Sequence, residues 1–413
     1  MTQGADDILS VLLLAQWSEL HNRRGEVPLD VAPLLETVDD LQRGPEILNE
    51  LLSSEFYREH LNTRGERQTV MIGYSDSNKD GGLASARWAL QSAQQTLVNA
   101  VESHGIELTL FHGRGGTISR GGSKTHVAVL GAPPGTVNGR LRVTEQGEII
   151  NEKYGLRGIA LRTLEQVVGS LALATAMPRH RGNDDPEWHA MMEVVAEESR
   201  KAYRKLIYDT PEFYDYFRLA TPIDVIERMR IGSRPSSRHK QGGVHALRAI
   251  PWVFAWTQAR FVLPGWYGIG SGLAKAAEQF EDAAFRKMLE EWYFMRALTA
   301  DAEMVLAKTD LGIAKLYSKL SGDLHDTFFP IIKDEFELTR NLILEYSDHD
   351  ALLEGDITLQ RAIMLRNPYV DPMSLMQVDL LQRWRASNRE DTELFDALLA
   401  SVNGIAQGMQ NTG

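Results

Sequence analysis

The first part of the chain contains three short apolar runs that predict β-strands. They are residues 68–73 (QTVMIG), 106–111 (IELTLF) and 139–144 (GRLRVT), each apolar throughout or alternating between apolar and polar positions. Each run is followed closely by polar, often glycine-containing sequence, namely SDSNKDGG, HGRGG and EQGE. If the strands are parallel, these segments lie at one edge of a sheet, where α/β proteins place their sites.

A helix predicted between the first two strands favours the parallel arrangement. The pattern predicts it from Leu83 to about His104, with Gly105 as the stop signal. Its apolar stripe consists of Leu90, Ala93, Leu97 and Val101. A strand, a helix and a second strand joined by short connections form a βα unit, in which the two strands are parallel.

Beyond about residue 157 the sequence is typical of a mostly helical structure. One helix is predicted to begin at Asp185 and Pro186, because proline favours the first helical position. Its apolar side consists of Trp188, Met191, Val195, Ala202 and Leu206. Further amphipathic helices are predicted in residues 274–317, in residues 325–345 and from Pro372 onward, and the clearest loop is residues 231–243.

The pattern shows no internal repeat and no clear linker between domains. A hydrophobic content of 43% in 413 residues is ample for a large core. We therefore expect one α/β domain over residues 1–413 that is predominantly α-helical. Its strands are expected in about residues 1–156, and residues 157–413 are expected to be mostly helical.

Charge and composition exclude several classes of protein. A net charge of −12 makes nucleic acid and anionic membranes unlikely as general partners. The chain has no cysteine, so neither disulfides nor thiolate chemistry can operate. No apolar run reaches membrane-spanning length, and Asp6 and Asp7 occur where a signal peptide requires positive charge. We expect a cytoplasmic protein.

Two long windows carry positive charge and no acidic residue. Residues 108–144 contain Arg114, Arg120, Lys124, Arg140 and Arg142. Residues 228–277 contain Arg228, Arg230, Arg234, Arg238, Lys240, Arg248, Arg260 and Lys275. In an acidic protein such windows indicate an electropositive cavity for a small anion, and the alternative is chance clustering on a solvated face.

Residues 111–122 (FHGRGGTISRGG) are the strongest candidate for chemistry. They combine His112, Arg114 and Arg120 with five glycines directly after a predicted strand. Glycine allows close backbone approach, arginine matches carboxylate or phosphate, and histidine is able to move a proton near neutral pH. The alternatives are an RGG-type nucleic-acid tract or a surface turn.

The other candidate residues are each ambiguous when taken alone. Asp76, Lys79 and Asp80 follow a strand and suit a Mg²⁺ site, but their segment is equally typical of a turn. Glu36 is either a metal ligand or a solvated residue at a helix start. Arg234 and Arg248 are either anion ligands or surface residues. The aromatic residues Trp252, Phe254, Trp256 and Trp266 favour a core position over a stacking platform.

Nine segments, in order along nearly the whole chain, together resemble the phosphoenolpyruvate carboxylase family. They are VAPLLETVDDL (31–41), VMIGYSDSNKDGG (70–82), FHGRGGTISRGG (111–122), LRVTEQGE (141–148), GSRPSSR (232–238), LRAIPWVFAWTQ (247–258), LPGWYGIG (263–270), LRNPYVDP (365–372) and GMQNTG (408–413). The resemblance covers about the carboxyl-terminal half of the usual enzyme. It therefore implies the carboxyl-terminal half of a (β/α)8 barrel with many extra helices.

The resemblance implies a lyase that converts phosphoenolpyruvate and bicarbonate to oxaloacetate and phosphate with Mg²⁺ or Mn²⁺, supplying the tricarboxylic acid cycle. Bicarbonate attacks phosphorus to give carboxyphosphate and pyruvate enolate, and the enolate carbon then captures CO₂. Glu36 and Asp76 match the metal-binding carboxylates, and Lys79 matches a lysine beside them. His112 matches the base that holds CO₂ at the enolate. The matching active-site arginines are Arg114, Arg120, Arg234 and Arg248.

A second set matches the family's feedback site for aspartate or malate. Its residues are Arg120, Lys308, Arg366 and Asn411. Because Arg120 also belongs to the catalytic loop, an occupied inhibitor site would withdraw that loop. Two departures bear on these sites: Ser119 replaces a usual glycine, and Gln410 replaces a frequent arginine.

The family's TAHPTE segment, which carries a catalytic histidine, does not occur in these 413 residues. Three hypotheses follow for the chain. It is a carboxylase that works alone or with a separate amino-terminal half, a non-catalytic sensor of dicarboxylates, or a decayed fragment. A partial barrel leaves open strand edges, so an isolated copy of the chain is expected to expose apolar surface, bind a partner or be unstable. The family is typically tetrameric.

Overall fold

The computed structural model describes residues 1–114, 118, 124–145, 147–176, 185–229 and 243–410. The chain is mostly helical, at 72%, with a small parallel sheet. Three predicted site residues lie outside the described residues: Arg120, Arg234 and Asn411. Residues 231–242 of the predicted loop also lie outside them. Within the described ranges, no helix is both long and apolar enough to cross a membrane.

A four-stranded parallel sheet lies in the first part of the chain. Its strands, in order across the sheet, are β1 (Leu34–Leu35), β2 (Arg67–Gly73), β3 (Glu107–Gly113) and β4 (Arg142–Val143). β2 and β3 pair along their whole length, with Ile72 opposite His112. The predicted parallel arrangement is therefore confirmed. β4 is shorter than predicted, and β1 was not predicted because two residues show no periodicity.

Helices α2 and α5 pack on each other beside the sheet and enclose a core with it. α2 begins at a capping box, in which the Thr37 hydroxyl accepts a bond from the Asp40 amide and the Asp40 carboxylate accepts one from the Thr37 amide. The predicted helix from Leu83 is α5, followed by Gly105 at φ +69°. The helices of this region are α1 (Ala5–Trp17), α2 (Val38–Ser53), α3 (Glu55–Thr63), α4 (Ser75–Gly81), α5 (Leu83–Glu102), α6 (Thr125–Leu130), α7 (Gly147–Tyr154) and α8 (Arg157–Ala176).

The rest of the described chain is helical, as predicted. Asp185 caps the predicted helix by accepting bonds from the amides of Glu187 and Trp188. Residues 274–317 form parts of four helices because caps such as Asp310 start new ones. The helices are α9 (Pro186–Arg204), α10 (Phe213–Ala220), α11 (Ile223–Ile226), α12 (Gly243–Ala246), α13 (Ala249–Gln258), α14 (Ile269–Gln279), α15 (Asp282–Glu291), α16 (Tyr293–Lys308), α17 (Leu311–Lys319), α18 (Leu324–Ser347), α19 (Ile357–Ala386) and α20 (Thr392–Met409).

A second hydrophobic core lies among the helices that follow the sheet, and helix α13 is part of it. The aromatic residues predicted to be core are buried there, which confirms that prediction: Trp252, Phe254, Trp256 and Trp266. The carboxyl-terminal end of α13 is held by polar contacts. Gln258 Nε2 donates to the carbonyl of Val402 in α20 at 3.0 Å, and Arg260 Nη1 lies 2.6 Å from Asp371 Oδ1 in α19.

Candidate active site

Polar side chains follow each strand at one edge of the sheet. Glu36 follows β1, Asp76 follows β2, His112 and Arg114 lie at the end of β3, and Glu145 follows β4. Because the strands are parallel, these carboxyl ends lie side by side. The sheet thus gathers carboxylates, an imidazole and a guanidinium at a single edge, as the sequence predicted.

Glu36 is held close to the end of β2 by a glycine. The pairing of Leu35 with Ile72 sets Glu36 beside Gly73. A Cβ at position 73 would lie 3.0 Å from both Cα and Cγ of Glu36, so only glycine leaves room for this approach. The Glu36 amide also donates to Asp40 Oδ2 at 3.2 Å, which ties the residue to the start of α2. Glu36 is therefore fixed at the sheet edge rather than exposed on a helix.

The segment predicted as either a metal site or a turn forms the short helix α4. Asp76 is half-buried in its first turn, and Lys79 is 7% exposed in its last. Asp80 has a different role, because its Oδ1 lies 2.5 Å from Arg204 Nη1 in α9. Tyr208 donates to the carbonyl of Lys79 at 2.9 Å. Burial raises the pKa of Tyr208, with Asp76 contributing in the same direction, so Tyr208 stays a neutral donor.

His112 is buried and paired with Tyr74. The Oη of Tyr74 lies 2.8 Å from His112 Nδ1, and His112 is 8% exposed. Burial, with a smaller effect of Arg114, lowers the pKa of His112 to about 3. Burial also raises the pKa of Tyr74, so both groups are neutral at pH 7. In this conformation burial therefore favours the neutral imidazole of His112, because the charged form is poorly solvated.

A cluster of charges lies behind His112. The guanidinium carbons of Arg87 and Arg114 each lie 5.9 Å from the centre of the Tyr74 ring. Arg87 Nη2 is 2.8 Å from Asp301 Oδ2, and both side chains are nearly buried. Burial raises the pKa of Asp301 to about 6, against the opposing effect of Arg87 and Arg114. Asp301 is thus the carboxylate that balances these two arginines.

The sequence interpretation missed Tyr74, Arg87 and Asp301. Tyr74 directly follows β2 and could have been found from that position. Arg87 lies inside α5, where it interrupts an otherwise apolar stretch. Asp301 lies in α16, far along the chain, and nothing near it in sequence marks it.

The predicted arginines are only partly described. Arg248 is half-buried and directly precedes α13, and its Nε has no hydrogen-bond partner among the described residues. An arginine at a helix start with unused donor capacity suits an anionic ligand. Arg120 and Arg234 lie outside the described residues.

The two basic windows do not form one continuous charged surface. In the first, Arg140 pairs with Glu107 at 2.7 Å and Lys124 with Asp356 at 3.1 Å. In the second, Lys275 pairs with Glu278, Arg228 stacks over Trp384, and Arg260 is buried against Asp371. Among the described residues, the members of the windows that pair with carboxylates therefore contribute little net charge to the expected electropositive cavity.

The predicted inhibitor site is represented by two described residues. Lys308 ends α16, and its Nζ donates to the carbonyl of Met409 at 3.3 Å. Arg366 lies in α19, and its Nε donates to the carbonyl of Ala362 at 2.8 Å. Helices α16 and α19 pack against each other, and α20 packs on α19.

The acidic and histidine side chains determine whether this site could bind a metal ion. The described part of the chain contains no group of three or more such side chains arranged to hold a metal ion. Glu36 and Asp76 offer two carboxylates at one sheet edge, which is the number that Mg²⁺ takes when substrate and water supply its other oxygens. These two carboxylates fit a cation whose remaining ligands come from the substrate and water. They do not fit a structural metal site in which the protein supplies every ligand.

Comparison with known proteins gives a consistent result along the whole chain. The family model described as phosphoenolpyruvate carboxylase matches residues 1–413. A protein of that name from Xanthomonas oryzae is 53% identical over all of this chain and 46% of its own length. The corresponding protein of Roseiflexus castenholzii is 42% identical over 45% of its length, and phosphoenolpyruvate carboxylase 2 of Chlamydomonas reinhardtii is 41% identical over 35%.

These relatives are longer than the chain. The match covers the carboxyl-terminal 46% of the Xanthomonas oryzae protein, so the chain spans about half the length of the curated relatives it matches. The motifs that follow β1, β2 and β3 all lie within the matched range. The chain belongs to the phosphoenolpyruvate carboxylase family.

Proposed function

We propose that this chain provides the carboxyl-terminal part of an active site that carboxylates phosphoenolpyruvate with bicarbonate to give oxaloacetate and phosphate. One observation carries the proposal: Glu36, Asp76, His112 and Arg114 all lie at or just after the carboxyl ends of strands of a single parallel sheet, at the same edge. Both substrates, carboxyphosphate and the enolate are anions, so fixed cations aimed at the developing charge lower the barrier.

Glu36 and Asp76 are the residues that would hold Mg²⁺ or Mn²⁺. A bound divalent cation would supply Lewis-acid stabilisation to the phosphate and enolate oxygens. Gly73 supports this role because it lets Glu36 lie against the end of β2. Lys79, nearly buried in the same helix as Asp76, adds positive charge beside the two carboxylates.

The arginines would bind and orient the anionic substrate. Arg114 and Arg248 offer forked donors to its carboxylate or phosphate. In the reaction, a bicarbonate oxygen forms a bond to phosphorus while the bond from phosphorus to the enol oxygen breaks. Carboxyphosphate then releases CO₂ and phosphate, and the enolate carbon forms the new carbon–carbon bond. Arg120 and Arg234 are assigned to the same site by family resemblance.

His112 would accept the bicarbonate proton and hold CO₂ against the enolate. Its low pKa in the free protein makes it a weak base. A nearby anionic substrate favours the charged imidazole, so binding should raise the pKa of His112 toward the value that proton transfer requires. The histidine is in this way kept neutral until the substrate arrives.

The site would be completed by polypeptide that corresponds to the amino-terminal part of the relatives. We place the four strands in a (β/α)8 barrel whose other strands come from that part, with residues 1–413 as one catalytic unit. The location in the cytoplasm and the tetrameric state of the family remain predictions for this chain.

Oxaloacetate formation tests the proposed function. The chain is incubated with phosphoenolpyruvate, bicarbonate and Mg²⁺, alone and with the amino-terminal portion of the Xanthomonas oryzae relative, and oxaloacetate is measured by coupled reduction to malate. We expect activity only in the mixture, and loss of at least about a hundredfold for Asp76→Asn. Failure of the mixture to bind phosphoenolpyruvate by calorimetry would refute the proposal.

We also propose that Arg120, Lys308, Arg366 and Asn411 bind aspartate or malate as a feedback inhibitor. The packing of α16, α19 and α20 supports this, because these helices carry Lys308, Arg366 and the approach to Asn411. Lys308→Ala should abolish inhibition by aspartate while activity remains. Arg120→Ala should also abolish the inhibition, but it should lower activity as well because Arg120 is assigned to the active site. Aspartate binding to a complex that forms no oxaloacetate would instead identify a sensor.

A further inference from the structure

Helix α8 is apolar but almost unburied. Of its twenty residues, Arg157–Ala176, only Ser170 is buried. Helix α5 has the same length and buries most of its residues, including Leu90, Leu97 and Val101. A helix that is apolar around most of its circumference is normally enclosed by protein. The exposure of α8 therefore calls for a covering surface.

The large apolar side chains of α8 point away from the rest of the chain. Leu161, Leu164 and Val168 are spaced i, i+3 and i+7, which places them on one face, and they are 57%, 50% and 61% exposed. The opposite face contains Ala160, Thr163, Ser170 and Ala174, which are buried or half-buried. That face of small residues packs toward α6. Val167 and Leu171, at the margins of that face, are also half-buried, so α8 carries apolar side chains on both sides.

The outward face of α8 is also poor in charge. Its charged residues are Arg157, Arg162 and Glu165, and further exposed apolar side chains flank the face: Leu156, Ile159 and Leu173. Contiguous apolar surface of this kind marks an interaction site. Spaced apolar anchors on a helix fit against another helix or a groove.

The neighbouring sheet edge identifies what covers α8. In the described part of the sheet, β4 pairs on one side only, with β3, and α8 follows β4 in the chain after the short helix α7. In a βα architecture the next strand pairs with β4, and the helix attached to that strand packs against the preceding helix. The relatives contain more than this length of additional polypeptide before the matched region.

We infer that the outward face of α8, through Leu161, Leu164 and Val168, is the docking surface for the polypeptide that corresponds to the amino-terminal part of the relatives. This inference rests on the proposed function, since it names the surface through which the active site is completed. A second copy of this chain is a poorer occupant, because the edge strands that it would offer, β1 and β4, are each only two residues long in the described residues.

The test uses the whole chain co-expressed with the affinity-tagged amino-terminal portion of the Xanthomonas oryzae relative. Co-purification is compared for the wild type, the variant Leu161→Ser/Val168→Ser and the control Ile331→Ser/Leu338→Ser. The control changes two exposed apolar residues, also seven positions apart, in α18. Thermal unfolding of each chain alone checks that exposed substitutions leave the fold intact.

We expect the wild type and the control to co-purify, and the α8 variant to lose about a hundredfold in affinity at unchanged unfolding temperature. Equal co-purification of all three chains would overturn the inference. So would a homodimer, detected by light scattering, that only the α8 variant dissociates. If the two polypeptides associate through α8 but form no oxaloacetate, the proposed function is refuted and the docking surface is supported. If the α8 variant still associates and the mixture forms oxaloacetate, the docking surface is refuted and the proposed function is supported.

Discussion

The Oη of Tyr74 lies 2.8 Å from Nδ1 of His112. Tyr74 directly follows β2, and His112 lies near the end of the neighbouring parallel strand β3. Both groups are buried and neutral, so one of them donates and the other accepts. A phenol at Nδ1 fixes the plane of the imidazole and leaves Nε2 as the nitrogen available to a ligand. Tyr74 therefore acts as a positioning residue for His112.

Removing the Tyr74 hydroxyl should leave a buried nitrogen without its partner. We expect Tyr74→Phe to destabilise the chain by about 1 to 3 kcal/mol and to change the ¹⁵N chemical shifts of the His112 ring. Tyr57→Phe is the matched control, because Tyr57 is also buried and its Oη donates to Gln68 at 2.6 Å. The control should lose stability with no change at His112; identical His112 spectra in both variants would contradict the positioning role.

Acid should destabilise the chain through His112. Its pKa is about 3 in the folded state, against 6.5 for the ordinary side chain. Between these values the unfolded state binds a proton that the folded state does not, so the free energy of unfolding falls as the pH falls from about 6.5 toward 3. Urea unfolding at pH 7.5 and pH 5 measures this loss.

The variant His112→Gln should lose less stability over that interval than the wild type. The control is His21→Gln, because His21 is exposed. Its pH dependence should equal that of the wild type. An unchanged pH dependence in His112→Gln would show that the buried imidazole is not the group responsible.

The ion pair between the buried Arg260 and the half-buried Asp371 should be costly to break. Arg260 is 1% exposed and has Asp371 as its counter-ion at 2.6 Å. Asp371→Asn leaves the guanidinium buried without that charge and should cost about 3 kcal/mol in the free energy of unfolding. Asp379→Asn, in the same helix, breaks the exposed pair with Arg383 and should cost less than about 0.5 kcal/mol. Equal losses in the two variants would contradict this assignment.

Glycine at position 73 should be required for the position of Glu36, one of the two carboxylates proposed to bind the metal ion. In Gly73→Ala the new Cβ would lie 3.0 Å from the Glu36 backbone, so Glu36 must move. We expect a loss of about 1 to 3 kcal/mol in stability and weaker Mn²⁺ binding, measured by calorimetry. Gly169→Ala in α8 has no atom within 4 Å of its Cβ and should be neutral or stabilising. Full Mn²⁺ affinity in Gly73→Ala would argue against Glu36 as a ligand.

The sequence predicted the parts of the site that follow strands. β2 and β3 are long enough to show an apolar pattern, so the residues after them, Asp76, His112 and Arg114, were identified. Tyr74 was missed because an aromatic residue beside a strand is usually assigned to the core. Asp301 was missed because its partner Arg87 lies 214 positions away in the sequence.

Charge patterns along the sequence were a poor guide to charge in space. Lys124 and Arg260 occur in windows without acids, yet each has a carboxylate partner, Asp356 or Asp371, from another part of the chain. Sequence windows cannot include partners brought near by folding. The burial of His112, which determines its protonation state, is likewise a tertiary property.

Helix α13 has Arg248 at one end and the anchored residues Gln258 and Arg260 at the other. Ten helical residues span about 15 Å, too short a length to bend appreciably. The backbone of Arg248 therefore moves with α13 as a unit. Any repositioning of α19 and α20, which hold the far end of this helix, would shift the arginine that is proposed to bind the substrate.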